Sequence, residues 1–322
     1  MSDDSEPGVV YTDYRGLTAT SPLASLWSYE TRGRGATGPV VVNADGSRDY
    51  WLHRSDPLLN TILPGTHVSL IFNFGDLWAS GISLPTCSSI PRACVVGPFT
   101  RSRILRVGRS VRAIGAVIAP SFALDVLGVP PSALVDRIVS LDDIWNRDDV
   151  ERFAATLASF DRRVAIAALK RDLVARIGQP DGRELTYSAL RVIRAHGGNL
   201  AIEKVAKNHG LTRHQFNRRF QAAAGLSPKL FARITRFQKL IHVLLSTDVS
   251  RWASISSAVG FYDQAHMINE FHAFAGAPPT IFFQPHGDVP SVQIQVHGRP
   301  SDWLRRKGDT RLLARPDNKS KR

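Results

Sequence analysis

The chain has 322 residues, 43% hydrophobic and 21% charged, with a formal net charge of +13 at pH 7 and a pI near 10.3. That length exceeds what one hydrophobic core usually organises, so two domains of roughly 100 to 200 residues are expected. No apolar run of about 18 residues and no signal peptide is present, which argues against a membrane protein, and the expected location is the cytoplasm.

Residues 1–10 are acidic and polar and are expected to be disordered. A first domain is expected over 11–177. Up to Ile118 it reads as short β-branched or alternating runs: Val40 to Val42, Val68 to Phe74, Ala93 to Val96, Ile104 to Val107 and Val111 to Ile118. Pairs such as Pro64-Gly65, Gly75-Asp76 and Gly97-Pro98 punctuate them, a pattern that predicts a mainly antiparallel β-domain. Helical spacing follows in Ser121 to Leu127, from Ser132 after Pro130-Pro131, in Val150 to Phe160 and in Arg163 to Ile177. The whole chain is therefore read as α+β and multidomain. Gly178-Gln-Pro-Asp-Gly182 breaks the helical pattern, which sets a linker at 178–184 and an all-helical domain at 185–284. The rest, 285–322, is basic and rich in Gly and Pro, and is expected to be a mobile tail.

Charge follows this division. Residues 1–182 hold 19 basic and 19 acidic side chains, residues 183–284 hold 13 and 5, and residues 285–322 hold 9 and 4. A neutral first half beside a basic second half fits a polyanion-binding module attached to a sensing or assembly domain. A solvated basic face is the plain alternative.

Within the helical region, Leu200 to Gly225 reads as two helices joined at Gly210. Ile202, Val205 and Ala206 form the inward stripe of the first, and Thr212 with Gln215 forms a T-x-x-Q capping box at the start of the second. Phe216, Phe220 and Ala223 are expected to face inward on that second helix. Its opposite face collects His214, Asn217, Arg218 and Gln221, flanked by Arg213. All of these donate hydrogen bonds, and a helix of this kind fits the DNA major groove, where Arg reads guanine and Asn or Gln reads adenine. A second copy follows Asp248. Trp252, Ile255 and Val259 form one stripe, Gly260 the turn, Asp263 the cap, and Met267, Phe271 and Phe274 the other stripe. Between the copies, Pro228 to Leu245 forms one helix of about 27 Å by the rise per residue, comparable to one turn of B-DNA at about 34 Å.

Over roughly Ser188 to Phe283 these residues resemble the AraC/XylS family of bacterial regulators. The carrying stretches are GLTRHQFNRRFQAAAGLSPKLF, the long helix to LLST, and VGFYDQAHMINEFHAFAGAPPTIFF. The resemblance implies tandem helix-turn-helix units in adjacent major grooves, with base or backbone contacts at His214, Asn217 and Arg218. In the second unit the corresponding face carries Ala265, His266, Ile268, Asn269 and His272. There Asn269 stands where relatives often have Arg, and Glu270 is read as adding local negative charge. The first unit is therefore expected to supply most specificity and the second mainly to position the protein. His209 stands where relatives usually place an apolar residue, and a half-buried histidine is expected. ILPGTHVSLIFNFGD, VVGPFTRS and GVPPSALVDRIVSLDDIW resemble the N-terminal region of one subset of these regulators, which implies a β-barrel or cupin-like sensing or association domain.

No catalytic set and no cofactor motif stands out. Cys87 and Cys94 lack the companions of a zinc site and read as two reduced thiols, with a redox switch left open. His53 and His67 are the candidate metal ligands of the first half, and core or surface histidines are the simpler reading; no metal site is expected. Gly33-Arg-Gly35 reads as a turn. Trp27, Trp51, Phe72, Phe74 and Trp78 are candidates to line a pocket for an apolar or aromatic effector, against the plain alternative of core packing. Arg101, Arg103, Arg106, Arg109 and Arg112 suit an anionic ligand or a solvated strand equally. The expected partners are double-stranded DNA, a small-molecule effector of unknown identity, RNA polymerase where activation requires it, and a second copy through Val150 to Ile177. An enzyme or small-molecule-binding protein whose helical half serves assembly remains the competing class, and a sequence-indifferent architectural DNA protein a third.

Overall fold

The structure is a computed structural model that describes residues 9–13, 23–30, 41–42, 48–52, 59–108, 110–159, 161–178, 184–246, 252–283 and 291–296. The β-branched runs build two sheets. One orders β1 (Val9–Asp13), β2 (Leu23–Glu30), β11 (Arg112–Ile118), β6 (Val68–Asn73), β9 (Ala93–Val96) and β12 (Ile138–Ser140), every pair antiparallel. The other orders β3 (Val41–Val42), β4 (Arg48–Leu52), β13 (Ser291–Val296), β5 (Leu59–Ile62), β10 (Arg103–Arg106), β7 (Ala79–Gly81) and β8 (Ser88–Ser89). Its one parallel pair is β13 with β5. Six residues of the segment expected as a mobile tail thus form a strand, and Val9 and Val10, expected in a disordered terminus, open β1.

Strand alternation assigns each side chain to one of two cores. On β6, Val68, Leu70 and Phe72 face a core shared with helices α1 (Ala123–Leu127), α2 (Arg147–Ser159) and α3 (Arg162–Ala175). Ile71 faces the other way, into a cluster between the sheets with Trp78, Cys94, Leu105 and Ala113. The first domain is therefore layered as sheet, sheet and helices. Pro131–Leu134, where a helix was expected, forms only a short 3₁₀ turn.

The second half is all helix among the described residues up to Phe283: α4 (Glu184–Ala195), α5 (Ile202–Asn208), α6 (Arg213–Ala224), α7 (Pro228–Ser246), α8 (Trp252–Val259), α9 (Gln264–Ala275) and α10 (Pro279–Phe283). One core joins them, centred on Phe216, Phe220, Phe231, Phe237 and Phe271. Ala224 rather than Ala223 completes the inward stripe of α6, four residues after Phe220. Gly210 and Gly260 turn the chain before α6 and α9 at φ of +66° and +100°, a region that costs an L side chain roughly 1 kcal/mol or more.

The halves touch directly. Ser102 donates from its amide to the Phe274 carbonyl and from Oγ to the Ala275 carbonyl, each at 3.0 Å, and so satisfies the last turn of α9. Half-buried Arg194 donates to Thr66 Oγ1 at 3.3 Å and to His67 Nε2 at 2.7 Å, and burial lowers its guanidinium to about 10. At Gly225 a Cβ would come within 2.9 Å of the Pro131 backbone, so the end of α6 sits against the turn Pro131–Leu134.

Candidate nucleic-acid interface

Both predicted caps form. Thr212 Oγ1 accepts from the Gln215 amide at 3.3 Å while Gln215 Oε1 accepts from the Thr212 amide at 3.1 Å. Asp263 Oδ1 accepts from the His266 amide at 2.7 Å. These bonds meet amide hydrogens that a helix start otherwise leaves unsatisfied, and they fix where α6 and α9 begin. Each helix is then rotated by its apolar stripe, Phe216, Phe220 and Ala224 on α6 and Met267, Phe271 and Phe274 on α9, all buried.

The opposite faces are left outside. Arg213, His214, Arg218 and Gln221 are exposed and Asn217 is half-buried. On α9, Ala265, His266, Asn269 and His272 are exposed and Ile268 is half-buried. Arg213 also pairs with Glu203 at 3.3 Å, a solvent-exposed contact. Between the two faces runs a cleft of about 900 Å³ along α7, bordered by Arg213 and Asn217 on one side and by His266 and Asn269 on the other. Lys229, Arg233 and Arg236 line its α7 wall. Sequence reasoning missed this wall, although Lys229, Arg233 and Arg236 recur at four- and three-residue spacing on one helix face.

Glu270 departs from its sequence reading. Its side chain is 4% exposed, and its two oxygens accept from Arg233 Nε at 2.6 Å and Arg236 Nη2 at 2.7 Å. The carboxylate is thus neutralised inside the protein and adds no negative charge to the outer face of α9. Arg233 and Arg236 also lie over the rings of Phe274 and Phe261, at 5.1 and 4.8 Å. The pair therefore clamps α9 onto α7. His209, half-buried as expected, stacks on Phe216 at 6.5 Å with an interplanar angle of 6°.

Of the candidate effector aromatics, the four described divide between two clusters. Phe72 is fully buried in the core under the helices, edge-on to Phe153 at 5.5 Å, and Phe74 packs against that same core. Trp27 and Trp78 lie on the opposite face, between the sheets. Alternation along the strands separates them, and the side chain of Trp51 lies outside the described residues. The arginines diverge as well. Arg103 lies over Phe99 and donates to the Asp136 carbonyl, whereas Arg112 lies over Phe74 and donates to the Ala158 carbonyl. Arg101 and Arg106 are exposed, and Arg109 lies outside the described residues. His67 is held by Arg194 rather than in a ligand set; His53 and Gly33 to Gly35 lie outside the described residues. Among the described residues no group of three metal-ligating side chains occurs, and no helix is long and apolar enough to cross a membrane. Both cysteines are free, and burial pushes the Cys94 thiol up to about 12.

Residues 205–284 match the family model described as a helix-turn-helix domain. No curated protein sequence matches the chain. Among solved structures, the chain is similar to ToxT from Vibrio cholerae, at 10% identity and a TM-score of 0.42 over 74% of this chain and 97% of that one. A second structure, unsaturated fatty acid bound wild-type ToxT from Vibrio cholerae strain SCE256, gives 10% identity and a TM-score of 0.38 over 74% and 94%.

Proposed function

We propose that the chain is a sequence-specific transcription regulator of the AraC/XylS type, acting on DNA in the cytoplasm, in which α6 and α9 enter successive major-groove segments on one face of the duplex. The observation that carries this reading is the pair of side-chain-capped helices whose polar faces flank one cleft, lined by Arg213, Lys229, Arg233 and Arg236 against Glu203 and Glu270. In α6, Arg213, His214, Asn217, Arg218 and Gln221 read bases and phosphates. In α9, Ala265 and Ile268 offer apolar contact to thymine methyl groups, and His266, Asn269 and His272 supply weaker polar contacts. Lys229 on α7 adds a phosphate contact. The first domain modulates this reader through a small-molecule effector, through pairing of two copies by way of α2 and α3, or both; activation would add a contact with RNA polymerase.

The competing reading, in which the helical half serves assembly, requires that a partner cover the outer face of α6 and that a pocket of convergent ionisable groups lie in the first half. A competition binding assay separates the classes, and no binding to any duplex would favour assembly. A duplex selected by the full chain is expected to outcompete a scrambled duplex by roughly 10³-fold or more at physiological salt. Equal competition would identify an architectural protein instead.

A further inference from the structure

Buried polar atoms are ordinarily paired, and each one left unmet costs about 1 to 3 kcal/mol. Between the two sheets this rule is broken repeatedly in one place. Asn60 on β5 and Ser80 on β7 both stand opposite Leu105 of β10 in the strand register, so the three share one face, and Leu105 belongs to the cluster between the sheets. Trp78 is a member of that cluster and Trp27 packs against it from the other sheet. Asn60 is 0% exposed, Ser80 3% and Trp78 8%. Trp27 Nε1, Trp78 Nε1, Ser80 Oγ and both polar atoms of the Asn60 amide have no hydrogen-bond partner among the described residues.

We infer that this inter-sheet interior is a binding site for a small neutral ligand with an apolar body and an acceptor oxygen, held by Trp27, Asn60, Trp78 and Ser80. The two indoles only donate, so the ligand must offer at least two acceptor lone pairs, which one carbonyl or hydroxyl oxygen supplies; Asn60 and Ser80 both donate and accept, so it also has room for one donor. Leu105, Val111 and Ala113 supply apolar surface for its body. Among the described residues of the first domain no carboxylate or lysine is buried. Arg103, two residues from Leu105 on the same face of β10, has a buried unpaired Nε, but its guanidinium is committed to Phe99 and to the Asp136 carbonyl. A carboxylate would have only this partly engaged guanidinium as countercharge among the described residues and would give up its hydration, which burial disfavours.

The inference deepens the sensing role proposed for the first domain and rests on it, so binding is read on the full chain without DNA. Benzamide, benzyl alcohol and cyclohexanone serve as neutral probes, with benzoate and toluene as the charged and non-polar counterparts of benzamide. Expected is a saturable change in tryptophan emission and a rise in Tm with at least one neutral probe, and at least tenfold weaker binding of benzoate and toluene. Asn60→Leu, an apolar replacement of similar size, is expected to melt no lower than the parent and to lose the response at least tenfold. Should that variant fail to fold, Ser80→Ala is expected to weaken the response severalfold. No saturable response to any neutral probe, equal responses in parent and variant, or tighter benzoate binding would each overturn the site. Probe binding that leaves DNA affinity unchanged keeps the site and removes the sensing role.

Discussion

Arg218 and Asn269 occupy corresponding places on the outer faces of two helices, and their chemistry differs. Arg presents a charged fork that matches guanine O6 and N7, whereas Asn presents a neutral amide. Replacing Arg218 by Ala is expected to cost about 1 to 3 kcal/mol of DNA affinity and relax the preference at one base pair, while Asn269→Ala costs less. Titrations against a panel of single-base variants of the preferred duplex check both effects, and equal losses would remove the asymmetry between the units. In the first domain, the raised pKa of Cys94 leaves on the order of 10⁻⁴ of it as thiolate at pH 8, and the thiolate is the reactive form. A disulfide-exchange reagent is therefore expected to titrate Cys87 alone in the folded chain and both thiols in denaturant.

The helix-turn-helix elements were legible because their signals are local. Turn glycines, caps at Thr212 and Asp263, and stripes at three- and four-residue spacing each define an element without reference to the rest of the chain. Glu270 was misread for the same reason. It lies three residues after Met267 and four before Phe274, on the inward face, where its charge is met by two arginines of α7 that no local pattern links to it. The position of α9 depends on that contact. Glu270→Gln leaves two cations sharing one neutral amide, and a loss of about 2 to 4 kcal/mol is expected, tempered by the partial exposure of Arg233. Urea unfolding of the full chain measures it. A change within about 0.5 kcal/mol, the size usual for surface substitutions, would show that the clamp does not hold the helix.

Across the whole molecule, what the sequence concealed is non-local. The strand at Ser291–Val296 has little meaning until β4 and β5 lie on either side of it, and the polar interior at Asn60 and Ser80 emerges only from strand register. Likewise, the division of the aromatics between two cores follows from where the sheets and helices come together: Trp27 and Phe72 take opposite faces of the first sheet, and Trp78 reaches the space between the sheets from the start of β7. The docking of Ser102 on the end of α9 and of the end of α6 on Pro131 ties the first domain to the helices flanking the cleft. These contacts give the first domain a physical route to the reader. In the proposed function, α6 and α9 together form one asymmetric DNA reader. Its most direct test is selection of random duplexes by the full chain. Expected is enrichment of sites with two segments about 10 base pairs apart, one helical turn, with most of the sequence information in one segment that flattens at a single position with Arg218→Ala. Two equally informative segments, or no enrichment over unrelated sequence, would contradict it.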